Sequence, residues 1–470
     1  MLPETLVKNE RDLTVTDDGG SEIDADVALK QVVKTIDDVI AKYEGKYEIE
    51  HVAPCAFWHS LVGVDERGKP TTKVFGWADT RSRKYTDVLR NRFDEAQMHN
   101  RTGARFHSSF WPAKLLWLRK EFPDAFRRTA QWLSFSDLLA LKLFGVATMG
   151  VSMASATGMF DLREGGWNST LSKFLKIRSS SLPRIADDGE AFQLDRKFAK
   201  RWPQLRNAKW FAAIGDGAAN NIGAGCVSKS KAALMIGTSG AMRVAYGGKP
   251  PAKIPSGLWC YRIDRKRIIL GGALSDGGGL YARLKESLRT EMSDDAIADE
   301  ISRRGAGAHG LTVMPFFAGE RSTGYNEDAA GSIIGLSSSH DAIDILQAAM
   351  ESIAFRFAEI LDQIRLVAPV KEIVASGGAL ASSLVWTQIV ADVLGRDLSA
   401  SNRQEASMRG AVLLALESLG KIENIQRVST ETTRIAFHPK CHRTYVVARK
   451  RHIKHYDTLI QQNEHRSKNG

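Results

Sequence analysis

The stretch GSIIGLSSSHDAIDILQAAME, residues 331–351, is the most informative part of this 470-residue chain. Small and apolar residues open it at fixed positions, namely Gly331, Ile333, Gly335 and Leu336. A second group follows at fixed spacing and comprises Asp344, Ile345, Ala348, Ala349, Met350 and Glu351. A pattern with so many constrained positions rarely arises by chance, so the stretch points to one particular architecture.

Short apolar runs that end in glycine turns surround this stretch from residue 209 onward. They are WFAAIGDGAA (210–219), AALMIGTSGA (232–241), RIILGGALSDGGG (267–279), LTVMPFFAG (311–319) and KEIVASGGAL (371–380). Several lead into helical patterns, and such an alternation of strands and helices predicts an α/β fold. The change in composition near residue 207 predicts two domains, at 1–207 and 208–470. Apolar spacing predicts an amphipathic helix at 24–43 and a closing helix at 445–462.

Composition bounds the class of protein. Hydrophobic residues make up 43% of the chain and charged residues 25%, which is ordinary for a soluble globular protein. No apolar run reaches the roughly 18 residues that a membrane span needs, and the first residues lack the apolar core of a secretory signal. The four cysteines are far apart and show no C-x-x-C spacing, which predicts free thiols in a reducing, cytoplasmic setting and argues against a zinc site.

The net charge of +11 allows two interpretations. A basic protein can bind nucleic acid, but the excess charge is spread over separate patches, and no nucleic-acid motif accompanies it. A solvated basic surface that attracts anionic substrates is the favoured interpretation. We therefore expect no nucleic-acid partner and no membrane partner.

The residues AAIGDGAAN, at 212–220, carry the strongest local signal for chemistry. An apolar strand delivers Asp216 into a turn of small residues, where a ligand can approach the backbone. A carboxylate at such a strand end is suited to accept the proton of an attacking hydroxyl. An aspartate at a turn also caps helices, so a purely structural role is the alternative.

Two further glycine turns suit a nucleotide. The first lies in MIGTSGAMR, residues 235–243, where N–H groups and hydroxyls can wrap phosphate oxygens. Its turn residues are Gly237, Thr238, Ser239 and Gly240. The second lies in SGGALAS, residues 376–382, where glycines let the backbone approach an adenine and ribose closely. A lone turn of this kind is weak evidence, but the first follows Asp216 by about 20 residues, which strengthens it.

From about residue 15 to residue 440, the chain resembles the FGGY family of carbohydrate kinases. Residues 331–351 resemble the C-terminal signature of that family, and GTSGAMR is most similar to the gluconate kinase branch, which we group with xylulokinase-like members. The resemblance implies two actin-like, ribonuclease H-like ATPase domains that flank a cleft. It also implies transfer of a phosphoryl group from ATP, with Mg²⁺, to a hydroxyl of a sugar or sugar acid, with gluconate-like substrates favoured.

The resemblance assigns roles to individual residues. Asp216 becomes the catalytic base, a substrate contact and the carboxylate assigned to Mg²⁺. The implied ATP contacts are Gly237, Thr238, Ser239, Gly240, Gly277, Gly377, Gly378 and Ser382. The following W-x-Q-x-x-A-D-x-x-G helix, which includes Asp392, matches the family as well, and we assign it to helix packing. Arg243 is a candidate partner for the carboxylate of an acid substrate, with a structural surface arginine as the alternative.

The segments FWHSLVGVDERG (57–68) and GWADTRS (76–82) resemble sugar-contact segments of this family. The implied sugar contacts are Trp58, Trp77, His59, Asp79 and Arg81. The tryptophans offer flat faces to C–H groups, and the polar residues offer hydrogen bonds to hydroxyl or carboxylate groups. An internal ion pair that supports the turn is the alternative for Asp79 and Arg81.

The first strand of the family ends in a D-x-G-T-x-x-x-[KR] loop, which we do not find in this sequence. Residues 2–20 resemble the segment that usually follows that hairpin, so the N-terminal domain is predicted to be truncated. Two hypotheses remain open at this point. The first is an active carbohydrate kinase, and the second is a truncated, non-catalytic sugar- or nucleotide-binding pseudokinase. Related kinases often form dimers or tetramers, which leaves a homo-oligomer open.

Overall fold

Residues 331–351 form the strand Ser332–Ile334 and the first part of the helix Ala342–Arg365, which we call the signature helix. The side chain of Asp341 accepts hydrogen bonds from the N–H groups of Ile343 and Asp344. The side chain of Asp344 in turn accepts one from the N–H of Asp341, which completes a capping box. The helix is buried along most of its length, so its sequence is constrained on nearly every face.

The structure is a computed structural model that describes residues 5–10, 13–43, 45, 47–401, 405–428 and 430–461. Its dominant feature is a sheet of seven described strands in the second half of the chain. In spatial order these strands are Trp259–Arg262, Arg267–Leu274, Gly240–Gly247, Lys231–Ile236, Glu372–Ser376, Leu398–Ala400 and Thr433–Ile435. The three central strands that begin at residues 231, 372 and 398 are parallel, and their neighbours are antiparallel.

The signature helix lies across one face of this sheet. An added Cβ at Gly240 would lie 2.6 Å from the ring of Phe357, and one at Gly272 would lie 2.7 Å from Ile360. Glycine at these two strand positions therefore permits the close approach of the helix, and burial of its apolar side chains against the sheet forms much of the core. The α/β prediction is confirmed.

The remaining elements of the second half surround this layer. The other strand is Thr312–Met314, which pairs with Ser332–Ile334. The other helices are Gly278–Ser287, Asp294–Arg304, Gly378–Ala381, Leu384–Leu394, Ala406–Ser418 and Pro439–Tyr456, which we call the C-terminal helix. The closing helix predicted at 445–462 thus begins earlier than expected, at Pro439, and its predicted last residue, Gln462, lies outside the described residues.

The first half consists of shorter elements. Its strands are Thr14–Val15, Ser21–Ile23, His51–Val52, Cys55–Ala56, Val62–Val64, Val74–Phe75, Gln131–Leu133, Thr148–Met149, Phe160–Asp161, Gly166–Trp167, Arg184–Ile185, Ala191–Phe192, Lys209–Phe211 and Ile214–Gly215. Its helices are Ala25–Tyr43, Thr86–Arg92, Glu95–Thr102, Trp111–Glu121, Pro123–Arg128, Phe135–Phe144, Val151–Ser155, Ser169–Leu175, Arg196–Arg201 and Asp216–Gly223. The first of these helices confirms the amphipathic helix predicted at 24–43.

The junction between the halves follows residue 207. Lys209–Phe211 pairs in parallel with His51–Val52, and Ile214–Gly215 pairs in parallel with Cys55–Ala56. Residues just beyond the predicted boundary therefore complete sheets of the first half, while the large sheet begins at Lys231. The composition changes before the architecture does, because residues 209–219 already have the strand-and-glycine pattern of the second half.

Two helices from opposite halves cross closely at this junction. An added Cβ at Gly223 would lie 1.8 Å from the carbonyl oxygen of Ala406, and one at Gly410 would lie 1.8 Å from that of Ala219. Backbone-to-backbone contact of this kind requires glycine on both helices. The contact fixes how the helix that begins at Asp216 sits against the second half.

Candidate active site

Asp216 lies where the two halves meet. The strand Ile214–Gly215 delivers it into the first turn of the helix Asp216–Gly223, and its Oδ1 accepts a hydrogen bond of 2.8 Å from the N–H of Gly217. Gly215 occupies the N-cap position of this helix, and Asp216 is the first helical residue. The predicted alternative, in which Asp216 caps the helix, is therefore limited to the hydrogen bond from Gly217. The residue is exposed, and its carboxylate retains acceptor capacity for a ligand.

The electrostatic surroundings of Asp216 act in opposite directions. Neighbouring protein groups reduce the hydration of the carboxylate and thereby raise the pKa of Asp216. The positive charges of Arg243 and, more weakly, Arg321 lower this pKa. The carboxylate is thus placed among cations but is less well hydrated than a free aspartate. This combination suits a proton acceptor.

Trp58 forms the floor beneath this turn. Its indole Nε1 donates to the carbonyl oxygen of Ser152 at 3.1 Å, and an added Cβ at Gly215 or Gly217 would overlap the ring, at 1.7 and 2.4 Å. Its other neighbours include Tyr261, whose ring meets it edge-on at 5.3 Å. Trp58 therefore supports the Asp216 turn, and its predicted sugar contact remains a prediction.

His59 lies beside Trp58 in a left-handed conformation, with φ of 68°. Its ring Nδ1 is 2.7 Å from the carbonyl oxygen of Ala156. Because a carbonyl only accepts, Nδ1 carries the hydrogen and Nε2 keeps its lone pair. Burial lowers the pKa of His59 well below its usual value, and Arg321 lowers it further, so the ring is neutral. His59 can accept a hydrogen bond from a hydroxyl through Nε2.

Asp79 and Arg81 form an internal ion pair. Arg81 Nη2 lies 2.6 Å from Asp79 Oδ2 and 2.6 Å from Glu22 Oε2, and its guanidinium lies 5.0 Å from the centre of the Trp117 ring. The same Oδ2 of Asp79 also accepts a hydrogen bond of 3.1 Å from the N–H of Ser21. These contacts match the structural alternative stated above, and the predicted sugar contacts of both residues remain predictions.

Arg243 lies against the Asp216 turn from the second half of the chain. An added Cβ at Gly217 would lie 3.2 Å from its Nε. The side chain is buried, and its Nε and Nη1 have no hydrogen-bond partner among the described residues. Burial lowers the pKa of Arg243 to about 10, which leaves it a cation at neutral pH. A buried guanidinium with unused donors is suited to an anionic ligand.

Arg321 is the functional candidate that the sequence prediction missed. Its guanidinium lies 4.9 Å from the centre of the Trp77 ring, across the junction of the two halves. Burial lowers its pKa, while Tyr261, Tyr325 and Asp216 raise it. The available signal was weak, because Arg321 follows the run LTVMPFFAG in an irregular loop that has no periodic pattern.

The loop that carries Arg321 also contacts the first half directly. Glu327 Oε1 accepts a hydrogen bond of 2.9 Å from the N–H of Ser108, and the ring of Tyr325 meets His107 edge-on at 5.8 Å. Lys114, which is completely buried, donates to the carbonyl oxygen of Ser108 at 2.6 Å and holds that contact in place. Burial lowers the pKa of Lys114 to about 7. The loop thus forms one wall of the site.

The predicted glycine turns come together at the edge of the large sheet. The N–H of Gly278 donates to the carbonyl oxygen of Gly237 at 2.7 Å, and that of Gly279 donates to Thr238 at 3.0 Å. An added Cβ at Gly277 would lie 2.8 Å from the backbone of Ser239. The turns at 237–240 and 277–279 therefore form one surface, in which Thr238 is exposed.

The third glycine turn joins the same surface. Gly377 has φ of 101°, and an added Cβ would lie 2.4 Å from the carbonyl oxygen of Ile236. Beside it, Ser376 has a buried Oγ without a partner among the described residues. Glycine is required at 377 by both conformation and space, and the resulting cradle exposes Gly378 and Ser382. Such a cradle is suited to phosphate oxygens.

An open groove of about 1220 Å³ continues from this cradle. Its lining includes Gly278, Tyr281, Ala379, Ser382 and Trp386. The groove has aromatic and aliphatic walls and a polar rim, and it is large enough for a nucleoside. The structure thus brings the predicted residues of the turns at 237–240, 277–279 and 377–382 to one surface, and the groove continues from that surface.

The comparison with known proteins agrees with this architecture. A model of the N-terminal domain of the FGGY family of carbohydrate kinases matches residues 7–223, and a model of the C-terminal domain matches residues 232–419. The chain belongs to the FGGY family of carbohydrate kinases. The two matched ranges meet after the helix Asp216–Gly223, at the junction described above.

Relatives of this FGGY protein include kinases of different substrates. The gluconokinase of Bacillus subtilis (strain 168) is 26% identical over 403 residues, which cover 83% of this chain and 78% of the relative. The xylulose kinase of Staphylococcus xylosus is 24% identical over 400 residues, with coverage of 84% and 82%. The glycerol kinase of Alkalilimnicola ehrlichii is 29% identical over 393 residues, with coverage of 81% and 78%.

Solved structures establish the fold. Gluconate kinase from Lactobacillus acidophilus superimposes with a TM-score of 0.88 at 24% identity, covering 96% of this chain and 92% of that one. Xylulose kinase from the same organism gives 0.87 at 24% identity, with coverage of 95% and 92%. The prediction of a two-domain, actin-like α/β fold is confirmed.

The FGGY signature lies mostly outside the site, and of its named residues Met350 lines the groove. Glu351 is buried in the signature helix and accepts hydrogen bonds from Gly307, His309, Gln347 and Tyr445. It therefore joins the helix to a loop and to the C-terminal helix. The signature identifies the family because it builds the scaffold, and the chemistry lies elsewhere.

Two further predictions concern the chain as a whole. All four cysteines are free thiols, as the spacing predicted. In the part of the chain that the structure describes, no helix combines the length and the apolar character that a bilayer crossing demands.

Proposed function

We propose that this FGGY kinase transfers the γ-phosphoryl group of ATP to a hydroxyl of a sugar acid of the gluconate class. The observation that carries this proposal is the pair of arginines, Arg243 and Arg321, beside Asp216. Both guanidinium groups interact electrostatically with this one carboxylate, so a net positive charge remains for an anionic group of the substrate. The relatives are kinases, and they give no support to the pseudokinase alternative.

In this mechanism Asp216 is the general base. Its carboxylate accepts the proton of the attacking hydroxyl while that oxygen bonds to the γ-phosphorus and the bond to the β-phosphate oxygen breaks, which releases ADP. No covalent enzyme intermediate is required. His59 supports the same substrate by accepting a hydrogen bond from a second hydroxyl through Nε2.

The glycine cradle is the proposed site for the ATP phosphates. Backbone N–H groups and hydroxyls of residues 237–240 face the triphosphate, and the adenosine lies in the groove beside Gly378 and Ser382. Mg²⁺ is usually held by one or two carboxylates together with substrate phosphates, and the open carboxylate of Asp216 fits that mode. When bound, the ion neutralises charge on the phosphates. Closure of the two halves excludes water and limits hydrolysis of ATP.

The substrate class is tested by removing each arginine. We expect Arg243→Met and Arg321→Met each to lower kcat/KM for gluconate by about 30-fold or more, because each deletes a cationic partner of the substrate carboxylate. The loss for the neutral sugars xylulose and glucitol should be much smaller. The measurement is a coupled assay of ADP release with each substrate at saturating ATP.

Arg434→Met is the matched control, because this arginine is 78% exposed and pairs with Asp397 at the sheet edge. It should leave all three substrates unaffected. Equal losses for gluconate and for the neutral sugars would mean that the arginines act on Asp216 and not on the substrate carboxylate. That result would overturn the proposed recognition of a carboxylate. If the wild-type enzyme phosphorylates xylulose but not gluconate, its substrate class is a neutral ketose and not a sugar acid.

The pH dependence gives a separate prediction. The base acts in its deprotonated form, so kcat/KM should fall as the pH drops through the pKa of Asp216, which lies above that of an ordinary aspartate. Arg243→Met removes the nearer cation and should raise that pKa further, since a positive neighbour favours the carboxylate. The acidic limb of the profile, measured with a neutral sugar, should therefore move to higher pH. An unchanged limb would mean that Asp216 is not the group that titrates.

A further inference from the structure

We propose that Asp392, His438 and Cys441 form a binding site for a divalent transition metal ion of the zinc class. The three side chains come from two helices. Asp392 lies in the helix Leu384–Leu394, whereas His438 caps the C-terminal helix and Cys441 lies in its first turn. One ligand atom of each lies within 4.8 Å of the other two. Among the described residues, no other group of three such side chains meets this criterion.

The distances fit a single ion with little movement. Zinc is bound by oxygen, nitrogen and sulfur at about 2.0–2.3 Å in a tetrahedron, which places ligand atoms about 3.3–3.7 Å apart. Asp392 Oδ2 is 3.3 Å from His438 Nδ1, which is already the required separation. The Sγ of Cys441 lies within 4.8 Å of both atoms, and this side chain is only half-buried.

Asp392 is held in place for this role. Its Oδ1 accepts hydrogen bonds from Gln388 Nε2 at 2.9 Å and from the N–H of His438 at 2.6 Å, so Oδ2 is the oxygen that faces the histidine ring. His442 Nδ1 contacts the backbone carbonyl of Asp392 at 2.8 Å and fixes the end of its helix. Oriented ligands of this kind typically accompany metal sites.

The charges also favour a cation. Asp392 is almost fully buried, and its only side-chain ion-pair partner among the described residues is His438. A bound divalent ion would remove the repulsion between carboxylate and thiolate, at the expense of one released proton. The side chain of His438 is 61% exposed, so an ion can enter and a water can complete the tetrahedron.

The sequence prediction argued against a zinc site because no C-x-x-C pair is present. The actual pattern is His438-x-x-Cys441, whose third ligand lies 46 residues earlier and was assigned to helix packing. The site would join the C-terminal helix to the helix that borders the nucleotide groove, since Leu384, Trp386 and Gln388 of that helix line the groove. Its expected role is to stabilise this pair of helices.

The test uses the full chain, stripped with a chelator and kept free of ATP and Mg²⁺. We expect it to bind one equivalent of Zn²⁺ in competition with a chromophoric chelator, and Co²⁺ to give the thiolate-to-metal absorption band. Cys441→Ser and His438→Ala should each weaken the affinity at least about 10-fold. Zn²⁺ should raise the thermal unfolding midpoint of the wild type and not that of Cys441→Ser.

Two matched variants control for other thiols and imidazoles. Cys55→Ser replaces the other half-buried cysteine, and His455→Ala replaces a histidine farther along the C-terminal helix. Both should bind Zn²⁺ as the wild type does. The proposal is wrong if the stripped chain takes up no stoichiometric Zn²⁺ at micromolar concentration. It is equally wrong if Cys441→Ser and His438→Ala both bind with wild-type affinity.

Discussion

Replacing Asp216 with asparagine is expected to lower kcat for sugar phosphorylation by about 10²–10⁴-fold, the usual contribution of a positioned general base. Asparagine has the same shape, and its carbonyl oxygen can keep the bond from the N–H of Gly217. It cannot accept the proton of the attacking hydroxyl. The fold and the glycine cradle should therefore survive while turnover is lost.

The decisive comparison separates chemistry from binding. ADP release gives kcat, and calorimetry without Mg²⁺ gives the affinity of the cradle for ATP, which should change little because the cradle does not depend on the Asp216 side chain. Asp362→Asn, at a position that is 53% exposed, provides the control and should keep wild-type activity. A variant at residue 216 with near-normal kcat would remove Asp216 from the mechanism, whatever the identity of the sugar.

The location of Asp216 was predictable because strand ends are local features. An apolar run followed by Gly215 and Gly217 already indicates a carboxylate delivered to a turn, and the structure adds only its orientation. The same holds for the cradle, since a glycine with φ of 101° at position 377 is a property of its own turn. Features within one strand and its turn can be read from the sequence.

The environment of that carboxylate was not predictable in the same way. Arg321 acts electrostatically on Asp216 from a loop more than 100 residues away, and no periodicity relates the two. The packing of the Trp58 indole under Gly215 and Gly217 was likewise not predictable, and its sugar contact stays a prediction. Which face of a residue meets which neighbour is set by the packing of the two halves. The proposed metal role of Asp392 was not predictable for the same reason, because its partners belong to another helix.

The signature stretch gives the largest expected effect on stability. We expect Glu351→Ala to lower the free energy of unfolding by about 3–5 kcal/mol, the usual result of removing one partner from a buried charged network. Glu351 is 1% exposed. Its Oε1 accepts from Gly307 at 3.0 Å, Gln347 at 2.9 Å and Tyr445 at 3.1 Å, and its Oε2 accepts from His309 at 3.0 Å. These hydrogen bonds would be lost inside the protein, although Gln347 Nε2 keeps its second acceptor, the carbonyl oxygen of Gly305.

Urea unfolding of Glu351→Ala, Glu351→Gln and Glu423→Ala measures this effect. Glutamine keeps an acceptor oxygen for the three donors on Oε1, so its loss should be smaller than that of alanine. Glu423 is 78% exposed and pairs with Arg427 on the surface, so its removal should cost less than about 1 kcal/mol. If Glu351→Ala were no more destabilising than Glu423→Ala, the buried network would not hold the signature helix, and its fixed spacing would need another explanation. The native fraction of Glu351→Ala should retain its kcat, because this residue builds the scaffold and does not reach the cleft.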